Sequence, residues 1–238
     1  MVATNQHIAT AGGPGGETHA RRADLRSLAP LSDSEVVDRI NEGDTAAFEL
    51  LMRRHNQRLF RLARSIVSED ATAEDVVQET YLRAFASLSR FEGRSSVITW
   101  LSRIALHEAL RQRRRQQRAP GTLPSGHEPI DAASRDRSPA VETERSRAEI
   151  VAALDDLTPV HRAVVMLRLV EGLSTRETAE SLRLSESNVK VSLHRAKREL
   201  SGRLTRKRTE QLRQHFAFAE DRCDRIVAGV FAQIRTPG

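Results

Sequence analysis

Between Ser68 and Leu82 stand five carboxylates, Glu69, Asp70, Glu74, Asp75 and Glu79, and no cation. On a helix Asp75, Gln78, Glu79 and Leu82 fall at i, i+3, i+4 and i+7 and share one face. Carboxylates so placed can hold a divalent cation or receive a basic partner. A metal-dependent nucleic-acid-processing enzyme built on Glu74, Asp75 and Glu79 is the reading that competes from the side of catalysis. It is disfavoured because the face has no histidine and lies on one helix instead of converging from several elements. On a chain whose formal charge is +6, an acidic face mixed with Gln and Leu suits a basic protein surface better. The plain alternative is a solvated helix start whose acids favour the helix dipole.

Two stretches carry the opposite charge. Arg103 to Arg118 holds six arginines (Arg103, Arg111, Arg113, Arg114, Arg115 and Arg118) against the single acid Glu108. A helix C-terminus is satisfied by one or two cations, so this density calls for a phosphate backbone that relieves the repulsion and releases counterions. Lys190 to Arg208 carries eight cations against Glu199. There the outward set Ser187, Asn188, Lys190, Val191, His194, Arg195 and Lys197 includes residue types that read base edges (Asn, Arg) and hold phosphates (Ser, Lys).

The elements that must position these groups are helices. Ser32 to Glu35 is a capping box with Leu31 and Val36 as its staple. A short helix follows and stops near Gly43, and Asp44 can cap the next, whose apolar residues are Phe48, Leu51, Met52, Leu59, Leu62 and Ile66. A third helix starts near Thr72 with Val77, Tyr81, Ala84 and Leu88 on its stripe. A fourth runs from Val97 to Arg118 with Trp100, Leu101, Ile104 and Ala105 inward. After residues 119–147, which hold four of the eight prolines and read as a flexible tether, helices resume near Ala148. Thr158-Pro159 opens a helix that Gly172 ends. Ser174 to Glu177 is a second capping box. Ser185 caps a last helix with Val189, Leu193, Ala196 and Leu200 inward. A short helix, a tight turn and a longer basic helix form a helix-turn-helix. No segment alternates with period two, so the fold class expected is all-α.

The organisation expected is a disordered N-terminal tail over 1–30, one helical domain over 31–118, the linker 119–147, the helix-turn-helix domain 148–202 and a C-terminal extension 203–238. Composition narrows the function. The chain has 238 residues, 39% hydrophobic, and no apolar run of the roughly 18 residues that a membrane span requires. The lone Cys223 excludes an internal disulfide, and with His215 it offers too few ligands for zinc. Together with the missing apolar leader, these features point to a cytoplasmic protein with neither cofactor nor metal. No Ser-His-Asp set or phosphate-binding glycine loop is present, so no catalytic residue is assigned.

Three segments resemble one family. Glu74-Asp75-Val76-Val77-Gln78-Glu79-Thr80-Tyr81-Leu82-Arg83-Ala84 is similar to the polymerase-binding helix of bacterial sigma factors of the extracytoplasmic-function (ECF) class. Phe91 to Ala105 resembles the loop and promoter-reading helix that follow it. Leu157-Thr158-Pro159, Glu171 to Ser174 and Val189 to Ala196 resemble region 4, the second conserved domain. The resemblance covers about residues 32–118 and 148–200 in the family's order.

The resemblance implies a division of labour. Asp75, Gln78, Glu79 and Leu82 would dock on the basic coiled coil of the β′ subunit of core RNA polymerase. Arg90, Phe91, Glu92, Arg94 and Ser95, with Arg103, His107 and Arg111 on the following helix, would capture unpaired bases of the −10 element. Thr175, Arg176, Ser187, Asn188, Lys190, Val191, His194, Arg195 and Lys197 would read the −35 element in the major groove, and region 4 would also hold the β flap. An anti-sigma factor is admitted as a further partner. Two residues depart from the family: His107 stands where many relatives have Asn, and Arg111 where they often have Asp, which puts the −10 preference in question. Arg183 replaces a common turn glycine, with a tight turn expected at negative φ. The stripe Ile226, Val227, Val230, Phe231 and Ile234 of the extension is expected to pack on region 4 or on the linker. A stand-alone helix-turn-helix regulator using only residues 148–200 is the alternative function.

Overall fold

The computed structural model describes residues 28–67, 69–118, 149, 152–200, 218 and 220–234. Most of the expected tail, all of the linker 119–147 and the basic run 203–208 lie outside these. Helices carry the described residues, and no strand occurs among them. The chain divides into two compact units, residues 1–51 and 52–238.

The first unit contains α1 (Asp33–Asn41) and the opening of α2 (Ala47–Arg64). Ser32 caps α1 reciprocally with Glu35, as the capping-box pattern requires, and the hydrogen bonds from Ser32 hold the Glu35 carboxyl below its ordinary range. Asp44 accepts the Ala47 amide at 3.2 Å and so opens α2. Leu28, which the sequence assigns to the tail, is buried and accepts a backbone hydrogen bond from Leu31.

The second unit holds the rest of α2, then α3 (Asp70–Ser87), a 3-10 turn at Leu88–Arg90 and α4 (Val97–Arg118). Helix α3 begins two residues before the expected Thr72. Val76, Val77, Tyr81 and Ala84 are buried along one stripe of α3, which packs on α4, itself burying Leu101, Ala105 and Ala109. The Tyr81 phenol donates to the Met52 carbonyl at 3.2 Å, and burial pushes its pKa well up. Trp100 and Ile104 are only half-buried; the Trp100 ring lies 5.2 Å from that of Phe91.

The helix-turn-helix domain is built on a second cluster, Leu154, Leu157, Val165, Met166, Val170, Ala196 and Leu200. Thr158 caps α5 (Pro159–Val165), with proline at the first helical position. The chain continues through a π-helical turn, Met166–Val170, in which the Glu171 amide reaches back five residues to Met166. Gly172 then leaves the helix at φ +72°, a conformation that glycine adopts without steric cost. Ser174 and Glu177 cap α6 (Thr175–Leu182) reciprocally, and the bonds from Ser174 lower the Glu177 pKa. Ser185 caps α7 (Glu186–Glu199) through the Asn188 amide. The turn between them departs from expectation. Arg183 sits at φ 54°, ψ 43°, in the left-handed region, because the chain must reverse while the Leu184 amide returns to the Ala179 carbonyl at 2.9 Å.

The C-terminal helix α8 (Glu220–Ile234) packs on α3, where the sequence reading placed it on region 4 or the linker. Its buried side chains are Cys223, Ile226, Val227, Val230 and Phe231. Fully burying an aliphatic or aromatic side chain of this size is worth about 1.5–3 kcal/mol. Charge selects the partner. Arg222 pairs with Asp70 at 2.7 Å and with Glu74 at 2.9 Å, Arg225 pairs with Glu74 at 2.9 Å, and Arg53 of α2 pairs with Asp224 at 2.8 Å. The Arg222 guanidinium also stands 4.2 Å over the Phe60 ring.

Candidate functional site

The acidic face of α3 is less bare than its sequence. Burial acts to raise the Asp70 pKa, but Arg64 and Arg222 outweigh it and hold the carboxyl below the usual range. The Glu74 side chain is 15% exposed beneath Arg222 and Arg225. Asp75 is exposed, whereas Gln78, Glu79 and Leu82 are half-buried on the same face. Glu79 pairs with Arg83 one turn on, at 2.7 Å. Arg83 in turn reaches Glu108 at 3.0 Å, and this carboxylate also faces Arg111 at 3.4 Å and His107 at 3.4 Å. Sequence reasoning missed this network: Glu108 looked like one stray acid among arginines, yet it is buried and joins α3 to α4.

The second group gathers around the start of α4. Gly93 at φ +66° bends the loop, Glu92 and Arg94 pair across it, and Arg90 is exposed. Phe91 and Ser95 are half-buried. Ser96 accepts the Thr99 amide and so starts the helix. Arg103, His107 and Arg111 follow at i, i+4 and i+8, one above the other. His107 and Arg111 are exposed. Arg103 is not open in the same way: its Nε donates to the Glu180 carbonyl of α6 at 2.6 Å.

The third group is open along its length. Ser187, Asn188, Lys190, His194, Arg195 and Lys197 are exposed on α7, and Val191 keeps 47% of its surface. An exposed aliphatic residue amid cations can meet a thymine methyl while its neighbours meet phosphate and base edges. Arg176 at the start of α6 is exposed and pairs with Glu180 at 3.0 Å; Thr175 is half-buried. Behind this face Arg162 is buried, bonded to Asp155 and to the carbonyls of Asp155 and Leu157. Burial lowers its pKa, and Asp155 opposes that shift. It anchors the start of the domain, a role its position in the sequence does not announce.

Residues 51–119 match the Sigma-70 region 2 family and residues 147–200 the Sigma-70 region 4 family. The chain is 39% identical over 183 residues to the ECF RNA polymerase sigma factor SigX of Bacillus subtilis (strain 168), spanning 75% of this chain and 91% of that protein. It is 30% identical over 207 residues to the ECF RNA polymerase sigma factor SigE of Mycolicibacterium smegmatis, spanning 81% and 80%. It also resembles the solved structure of CnrH in complex with the cytosolic domain of CnrY, with a TM-score of 0.54 and 27% identity over 71% of this chain and 94% of that one.

Two helical domains in this order, the first matching sigma region 2 and the second a basic helix-turn-helix matching region 4, define a protein of bacterial transcription initiation. The chain belongs to the ECF class of the sigma-70 family of RNA polymerase sigma factors. A stand-alone regulator would leave the region 2 match unexplained. No described helix is long and apolar enough to cross a membrane.

Proposed function

We propose that this sigma factor works as a bipartite address, in the cytoplasm, with no chemistry of its own. Asp75, Gln78, Glu79 and Leu82 on α3 dock on the basic β′ coiled coil of core RNA polymerase. The loop Arg90 to Ser95 and the α4 face Arg103, His107 and Arg111 trap unpaired bases of the −10 element. Helix α7, with Thr175 and Arg176 of α6, lies in the major groove at −35, and region 4 also meets the β flap. An anti-sigma factor is a further partner on this reading. Either domain alone binds weakly, and polymerase fixes their spacing so that effective concentration does the rest. Trapped bases shift the melting equilibrium without covalent chemistry.

The observation that carries the reading is the contrast between the two ends of the second unit: an exposed carboxylate, Asp75, on a helix that otherwise neutralises its acids, and an exposed cationic face on α7. Asp75→Lys tests it. The variant is expected to lose core polymerase in a pull-down while keeping its affinity for duplex −35 DNA. Retained polymerase binding would place the docking surface elsewhere.

A further inference from the structure

Helices α3 and α8 run in step. Arg222 meets Asp70 and Glu74, Arg225 meets Glu74, and Gly229 meets Gln78, so positions 222, 225 and 229 follow 70, 74 and 78 up the same seam. At the last contact a Cβ at position 229 would lie 2.9 Å from Gln78 Cδ, so a side chain there must push the end of Gln78 aside. Glycine weakens a helix interior, and this approach gives its presence at 229 a purpose. The hydrophobic side of α8 is buried at the same time, through Ile226, Val227, Val230 and Phe231.

We propose that α8 is an internal cover for the polymerase-docking face: an apolar-seamed helix of the chain itself, with Arg222 and Arg225 turned to the carboxylates of α3, that occupies the part of α3 holding Glu74 and Gln78 until core polymerase displaces it. The inference rests on the assignment of that face to polymerase. The geometry explains why the cover is partial. Asp75 remains exposed while Glu74 and Gln78 lie under α8, so an incoming basic helix finds a first contact and completes the interface only after α8 has left. Arginines on α8 offer the acidic face the charge that a basic coiled coil would offer, which makes the two occupants exclusive. Affinity for polymerase is then the intrinsic affinity reduced by the fraction of molecules whose face is uncovered.

Cys223 makes the cover measurable. It is the only cysteine, it is buried, and its sulfur accepts from Asn56 Nδ2 of α2 at 3.0 Å, so alkylation by N-ethylmaleimide reports release of α8. The experiment uses the full chain in three forms: unaltered, Arg222→Glu/Arg225→Glu, which reverses the ion pairs, and Gly229→Leu, which leaves them and wedges the seam at Gln78. Both variants should alkylate faster and bind core polymerase about tenfold more tightly, within the usual range for two coupled binding events. Saturating core polymerase should also speed alkylation of the unaltered chain. Faster alkylation with unchanged polymerase affinity would overturn the proposal. So would slow alkylation of the unaltered chain when polymerase is bound, a result that no folding defect of a variant can produce. Asp75→Lys in each background separates the premise from the inference. If it leaves polymerase binding intact in the uncovered variants, the docking assignment fails, while alkylation still tells whether α8 lies on α3.

Discussion

Arg103 Nε donates to the backbone carbonyl of Glu180 at 2.6 Å, tying the helix assigned to the −10 element to the first helix of the helix-turn-helix. Arg58 and Arg61 add a second tie: both pair with Glu171, at 3.2 and 2.9 Å, at the end of the π-helical turn. The residue proposed to meet an unpaired base is thus bonded to a protein carbonyl. Arg103→Ala removes both contacts. Permanganate reactivity of the opened −10 strand is expected to fall roughly tenfold or more, the worth of one charge-assisted contact, with −35 duplex affinity unchanged. Unaltered reactivity would leave Arg103 only its bond to Glu180.

Lys190 is exposed on α7 and is assigned to a phosphate. Lys190→Glu should weaken −35-dependent promoters most and lower the salt slope of duplex binding by about one. Titrations of a −35 duplex at several salt concentrations read both. Equal loss on every template would mark a folding defect instead.

Arg183 is the single non-glycine residue at positive φ among the described residues. An L side chain pays about 1–2 kcal/mol in the left-handed region, and glycine recovers part of that at an entropic cost of its own. Arg183→Gly is therefore expected to stabilise region 4 by about 0.5–1 kcal/mol, read as a higher urea midpoint. A lower midpoint would mean that the Arg183 side chain contributes more than its backbone costs.

The Asp70 carboxyl is held below the usual range by Arg64 on α2 and Arg222 on α8, against its own burial, with Glu74 sharing Arg222. A depressed folded-state pKa gives stability that is present above the unfolded value, about 3.9, and is lost as pH falls through the folded one. Amide protection over residues 221–234 should accordingly be flat near neutrality and drop in acid, below pH about 4. Asp70→Asn should reproduce part of the loss at pH 7. Protection that stays level to the acid limit of folding would show that the apolar seam alone holds α8.

Much of this was legible because it is local. Ser32-Glu35 and Ser174-Glu177 each contain both partners of a cap within four residues, and Thr158 accepts the His161 amide with Pro159 at the first helical position, so the sequence places the helix starts directly. Positions 189, 196 and 200 are buried as their spacing requires. What could not be read is what depends on distant partners. The stripe on α8 shows that this helix packs, but its place on α3 is set by Arg222 and Arg225 meeting Asp70 and Glu74 across about 150 residues of chain. The acidic run lacks cations only along the sequence; in space Arg64, Arg222 and Arg225 surround its first half. Arg183 was misread because the sign of φ at a turn follows from the capping bond that Leu184 makes, which residue type alone does not specify.

As a sigma factor, this protein tells RNA polymerase where to begin. Purified core polymerase, given a randomised promoter library with and without this protein, tests that most directly. With it, transcripts should start from templates sharing one −35 and one −10 element, and Asp75→Lys should abolish that selection. Start-site choice that is the same in its presence and absence would contradict the account.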